Sequence, residues 1–212
     1  MNSTVAVTTP AEVTALSTLD RVKLELRITG SDDDALLEAK LGEASSDIAL
    51  RCAPSLRRET LTEIFYPDRG PICLDKLLLS RWPVASIATV TLDDEVVDGD
   101  EYRVDGERGL LYRLSTTGYP SQWSFSKSLA IDYAAGYLLP GEDGRDLPPS
   151  LEAAAIDLVS SYWASRGRDP LLRREENVGV SRFDYWVGAV GASGNLPPGV
   201  MSKIEMFAPV RA

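Results

Sequence analysis

Apolar residues recur at helical spacing in three stretches of the 212-residue chain and at strand spacing in the stretch between the second and third. Leu19, Val22 and Leu26 fall on one face of a short first helix, opened by Ser17 with Asp20 three residues later and ending near Gly30. Ser31 with Asp34 repeats the arrangement. Leu37, Leu41, Ala44, Ile48 and Cys52 form the stripe of a second helix that runs to about Ala53, before Pro54 stops it. A third helix spans Pro149 to Arg166 with Leu151, Ala155, Leu158 and Tyr162 on one face. Proline at its first turn loses no helical hydrogen bond, and Gly167 ends it.

Between the second and third helices the period changes to two. Thr60 to Phe65, Ile72 to Leu79, Ile87 to Leu92, Tyr102 to Val104, Gly109 to Leu114 and Leu129 to Tyr133 are short runs of β-branched, aromatic and aliphatic residues separated by turn-forming clusters. Pro83 suits the start of a strand, Asp93-Asp94 and Asp105 to Gly109 read as hairpin turns, and Gly136 supplies the backbone angle that ends the last strand. These patterns predict an α+β fold. Residues 1–58 and 137–167 make a discontinuous helical domain, 59–136 an inserted antiparallel β unit, and 168–212 an extended arm and C-terminal tail. Met1 to Pro10 reads as a small, polar, frayed leader, and Gly141 to Asp146 as an acidic loop.

Beyond Gly167 periodicity is lost, and the glycine-rich run to Gly199 is too long for an ordinary connection. It is functional, disordered, or ordered only on binding. Arg166, Arg173 and Arg174 belong to the chain's basic cluster, which either stabilises a helix C-terminus or meets a partner. Phe183, Tyr185 and Trp186 are either anchors of a subunit interface, joining those arginines, or packed back onto their own domain. Pro197-Pro198 starts a short helix through Met201, Ile204 and Phe207, and Pro209 stops it.

An apolar content of 44 % suffices to fold the chain without staples, and no run is long enough to span a membrane. With no secretory signal, the expected place of synthesis and folding is the cytoplasm, where Cys52 and Cys73 read as buried thiols. The chain has no histidine, which excludes His-dependent catalysis. A net charge of −10 argues against gripping DNA through its phosphates, yet suits a passage along which DNA slides. Asp32-Asp33-Asp34 serves a helix start better than a metal, and Asp98, Asp100 and Glu101 lack the remaining ligand and the glycine of a calcium loop. No catalytic, cofactor-binding or metal-binding residue is assigned. Trp82 and Trp123 beside acidic pairs leave a carbohydrate-binding or hydrolytic β module as a reading from another class, against their use as core residues.

In order along the chain stand two helices, WPVASIATVTLDDEVVDGDEYRVDGERGLLYR, IDYAAGY and LPPSLEAAAIDLVSSYWASR. With Pro83-Val84 in a strand, Tyr102 on the hairpin return, Tyr133 to Tyr137 as Y-x-x-G-Y, and a proline-started helix from Pro149 to Arg166, the chain resembles the head-tail connector (adaptor) proteins of tailed bacteriophages and gene transfer agents. The resemblance implies a non-enzymatic structural subunit at the virion neck, without cofactor, metal or membrane. It implies a homo-oligomeric ring, a dodecamer in the virion, between the portal protein and the tail or stopper, through which DNA passes without specific binding. It also implies a C-terminal segment that reaches the portal, here Pro198 to Ala212, with Ile204, Met206, Phe207, Pro209, Val210 and Arg211 as its contact residues; its deletion is expected to leave the fold intact. A tail-completion or stopper protein of the same neck is the neighbouring alternative. The stretch from Arg168 to Asn195 departs from the simplest members in its length and aromatic content.

Overall fold

Strand alternation closes into antiparallel sheets, and the helical stripes meet one another, in a computed structural model that describes residues 1–52, 56–166, 174–177, 181–184 and 196–208. The chain divides into two units. One comprises residues 1–14 and 53–146, the other 15–52 and 147–212.

The first unit holds β1 (Asn2–Thr9), β2 (Glu59–Tyr66), β3 (Ile72–Leu74), β4 (Lys76–Leu78), β5 (Val84–Leu92), β6 (Glu95–Val96), β7 (Tyr102–Asp105), β8 (Leu110–Leu114), β9 (Pro120–Ser121), β10 (Trp123–Phe125) and β11 (Leu129–Ala135). A five-stranded sheet runs in the order β1-β2-β11-β5-β6. A second sheet is ordered β4-β8-β7 with β9 on β8, and β10 pairs with β3. Alternation puts Leu61 and Phe65 of β2 and Leu129, Ile131, Tyr133 and Ala135 of β11 on the buried face, where Leu77, Leu111, Trp123 and Phe125 complete the core.

Three expectations change here. Residues 2–9 are not a frayed leader but a strand paired with β2, Asn2 opposite Tyr66 and Thr9 opposite Thr60. Nothing in a polar run with two valines marks it, because every residue of β1 stays exposed and the strand is held by backbone pairing. The run Ile72 to Leu79 breaks at Asp75, so that β3 and β4 enter different sheets. Cys73 lies on the outward face of β3 and is exposed, whereas Cys52 is buried, and burial pushes its thiol up to about 11.

The β5–β6 turn is built on Asp93 and Asp94, both at positive φ, which aspartate tolerates better than most side chains. The Asp93 carboxylate accepts the backbone N–H groups of Ser126 (2.9 Å), Lys127 (2.7 Å) and Ser128 (3.1 Å), and these bonds hold its pKa below the ordinary 3.8. A depressed folded value means stability that is present above the unfolded pKa and is lost as pH falls through the folded one. Thermal midpoints of the wild type should therefore fall in the acid range. Asp93→Asn should start lower near neutral pH and fall less steeply, and parallel pH profiles would contradict this account.

The acidic loop also has a role. Asp146 accepts the backbone N–H of Leu138 and the Arg58 guanidinium, each at 2.6 Å, while Glu142 caps the N–H of Leu139. The loop thus satisfies the backbone beyond Gly136 with its own carboxylates.

The second unit holds α1 (Leu19–Leu26), α2 (Asp34–Ala49), α3 (Pro149–Ala164), the hairpin strands β12 (Arg174–Asn177) and β13 (Ser181–Asp184), and α4 (Pro198–Ile204). The cap of α1 is Thr18, whose hydroxyl accepts from Arg21 N–H at 3.3 Å; Ser17 instead donates to Glu152 at 3.2 Å. The stripes are buried as their spacing requires: Leu37, Leu41, Ala44 and Ile48 on α2, and Leu151, Ala155 and Leu158 on α3. α4 packs on α3 and buries Val200 and Ile204.

Candidate assembly surfaces

Where α3 ends, its last aromatic residues meet α2. Tyr162 is half-buried and donates its hydroxyl to Asp47 Oδ2 at 2.7 Å; burial first, then this bond, raises its pKa. Lys40 stands 5.4 Å from the Tyr162 ring centroid and pairs with Glu43 at 2.7 Å. One residue on, the Arg166 guanidinium stacks on Trp163 at 3.9 Å and reaches Asp33 at 3.1 Å. Leu36, Lys40, Tyr162, Trp163, Ser165 and Arg166 line a groove of about 230 Å³. A stacked, planar guanidinium beside an aromatic floor is suited to a protein partner, since little side-chain freedom remains to be lost on contact.

Arg166 is therefore placed in a groove together with Leu36, Lys40 and Trp163, which the sequence reading did not single out. The signal for Trp163 was its place beside the stripe residue Tyr162 at a helix end; Leu36, one position before the α2 stripe, had none. Arg174 and Phe183 fall in the β12–β13 hairpin, Arg174 opposite Asp184 and Phe183 opposite Glu175. That hairpin was missed. Its strands, REEN and SRFD, are separated in sequence by three residues that include Gly179, which is the recognisable signal. Arg173, Tyr185 and Trp186 lie outside the described residues.

At the C-terminus the six expected contact residues separate. Ile204 is buried under its own unit and has no surface to offer, because α4 spends it on packing. Met206 is 80 % exposed and Phe207 half-buried. Pro209, Val210 and Arg211 lie outside the described residues. Deleting everything from Pro198 would remove the buried Val200 and Ile204, so the structure leads us to expect that such a truncation destabilises the second unit, where the sequence led to the opposite expectation.

Trp123 is fully buried and donates its indole N–H to Leu111 O at 3.1 Å, which removes it as a sugar platform.

Residues 16–78, covering α1, α2 and β2 to β4, match the family model described as phage gp6-like head-tail connector protein. The whole chain is similar in fold to three solved structures. A chain in the neck of an empty gene transfer agent particle, computed with C6 symmetry, is 23 % identical at a TM-score of 0.56, covering 99 % of this chain and 97 % of that one. In the virion of a native gene transfer agent particle the figures are 21 %, 0.56, 98 % and 96 %; in a native neck computed with C12 symmetry they are 21 %, 0.56, 99 % and 97 %. Over residues 16–78 the chain is similar to the head-tail connector family, and over nearly its whole length it shares the fold of these neck and virion chains. No curated protein matches the chain.

The structural match runs through the β sheets of the first unit as well as the helices of the second. The family-model match ends at Leu78, before the strands and the third helix on which the resemblance in sequence chiefly rested.

Proposed function

We propose that this chain is a structural subunit of a virion neck, a head-tail connector that forms a ring between the portal and the tail or stopper and leaves a passage for DNA. The observation that carries the reading is the fold match over 99 % of the chain to neck chains of gene transfer agent particles, one of them computed with twelve-fold symmetry. A closed ring requires two different surfaces on each subunit that fit each other. The Arg166–Trp163 groove is proposed as part of one of them, continued by the arm that carries Arg173, Arg174, Phe183, Tyr185 and Trp186. The proposed portal contact is the exposed end of the C-terminal segment: Met206, Phe207, Pro209, Val210 and Arg211. Its role is mechanical, with no catalysis, and the acidic balance keeps DNA moving through the ring without specific binding.

Electron microscopy of the purified chain, alone and mixed with the cognate portal protein or with the tail components, tests the reading. Rings docked on the portal are expected, whereas a monomer that joins only a tail tube would identify a tail-completion protein. Met206→Asp should weaken portal capture at least about tenfold, as loss of an interface anchor does, with an unchanged melting curve because Met206 packs on little. Undiminished capture would remove the C-terminal end from the contact.

A further inference from the structure

Lys76, Tyr112 and Arg103 stand in one row across three strands: Tyr112 of β8 is opposite Lys76 of β4 on one side and Arg103 of β7 on the other. Directly opposed residues project from the same face of a sheet, so two cations flank one aromatic ring, with the Arg103 guanidinium 5.3 Å from its centroid. With Asp75, Pro120, Ser121 and Gln122 they line an open groove of about 420 Å³. Asp75 is occupied by the Gln122 amide at 2.7 Å. Among the described residues neither Lys76 nor Arg103 has a carboxylate within ion-pair distance, whereas Lys23, Lys40, Arg58, Arg113, Lys127, Arg166 and Lys203 all do. In a chain of net charge −10, two cations on either side of one tyrosine, neither with a carboxylate in ion-pair distance among the described residues, form a site for an anionic partner.

The same unit carries a matching surface. Residues 93–101, DDEVVDGDE, hold six acids and no cation. Asp93, Asp94 and Glu101 are engaged by backbone N–H groups, Lys127 and Arg113 respectively. Glu95, Asp98 and Asp100 are exposed without a cation in ion-pair distance among the described residues, around Val96, which is 73 % exposed. We propose that the Lys76–Tyr112–Arg103 groove of one copy receives the Glu95–Asp100 turn of the next, with Val96 against the tyrosine face, as one of the contacts that close the ring.

This inference rests on the ring reading and names the partner of one of its contacts. Two different, complementary patches on one subunit are what a head-to-tail contact needs. Nucleic acid is the less favoured occupant, because two cations release few counterions and the rest of the chain repels phosphate.

The test compares ring formation of the full chain, with and without portal, by mass photometry and electron microscopy. Lys76→Glu with Arg103→Glu, and separately Glu95→Lys with Asp100→Lys, should each raise the concentration needed for rings at least about tenfold, since like charges then face each other. All four changes in one chain should return it to near the wild-type value. These side chains are exposed, so melting curves should not move. Lys76→Gln with Arg103→Gln offers a neutral version in which the salt sensitivity of wild-type assembly should be lost. If wild type forms rings and the reversals do so equally well, or the fourfold variant is not restored, the contact is wrong and the ring reading stands. A wild type that forms no rings even with portal overturns both. Loss of retention on a short DNA duplex by the Lys76/Arg103 reversal, with rings unaffected, overturns the proposal in favour of nucleic acid.

Discussion

Gly136→Ala is expected to destabilise the β unit by about 4–5 kcal/mol and to lower its thermal midpoint by roughly 10–15 °C. Two effects act together. Gly136 sits at φ +98, a conformation that costs an L side chain about 1–2 kcal/mol. A Cβ there would also lie 2.0 Å from the carbonyl oxygen of Arg57 and 2.5 Å from its carbonyl carbon, a collision with backbone that no rotamer relieves. The backbone has little room to move away, because Gly136 N–H donates to Pro83 O at 2.8 Å, its own carbonyl accepts from Arg58 Nε at 2.6 Å, and Tyr137 N–H donates to Leu56 O at 3.1 Å. Gly141 isolates the conformational part: its φ is +104, but nothing lies within 4 Å of the position of its Cβ. Gly141→Ala should therefore cost only about 1–2 kcal/mol. Thermal unfolding of both variants checks the difference, and equal losses would remove the steric argument.

The contrast between these glycines shows what the sequence made legible. Strand alternation from Leu129 to Tyr133 followed by glycine identified the strand end, because period two and the glycine requirement are local facts of the chain. The closeness of Arg57 to Gly136 is a fact of packing between segments far apart in sequence. The α2 and α3 stripes were legible for the same local reason from Leu37 to Ile48 and from Leu151 to Leu158, whereas Cys52, read as the last stripe residue of the second helix, is buried beyond the end of α2 at Ala49. Cys73 was not, because alternation in a three-residue strand does not say which face is covered until its partner β10 is known. β1 escaped because it buries no side chain and is held to β2 by backbone pairing, helped by the Thr8 hydroxyl, which donates to Thr60 O at 3.0 Å. Arg166 was marked by its charge, but only the meeting of α2 with α3 sets it in one groove with Leu36 and Lys40. Ile204, Met206 and Phe207 all read as one apolar tip; burial of Ile204 against α3 separates the part that folds from the part that is free. The Lys76–Tyr112–Arg103 row comes from three strands and has no signature in any one of them.

Glu63→Ala should carry the second large loss, about 3–4 kcal/mol, although it removes an acid from an apolar core. Glu63 lies on the inward face of β2 between Leu61 and Phe65 and has no solvent exposure. Its carboxyl group is the acceptor for Ser80 N–H at 3.0 Å, for the Ser80 hydroxyl, and for the Tyr133 hydroxyl at 2.8 Å. Burial first, then the adjacent carboxyl, raises the Tyr133 pKa, so the phenol stays protonated and remains a donor. Alanine leaves these donors without their acceptor, and the loss follows from their desolvation more than from any bond energy. Two comparisons separate that account from simple loss of volume. Glu63→Gln preserves the shape but replaces one acceptor oxygen by a donor amide facing other donors, and should cost about half as much as alanine. Tyr133→Phe removes one donor, so adding it to Glu63→Ala should cost less than the sum of the single changes, with a coupling of about 1 kcal/mol or more in a double-mutant cycle. Strict additivity would mean that Glu63 and Tyr133 act independently and that the cost of Glu63→Ala comes from the cavity and the Ser80 donors alone.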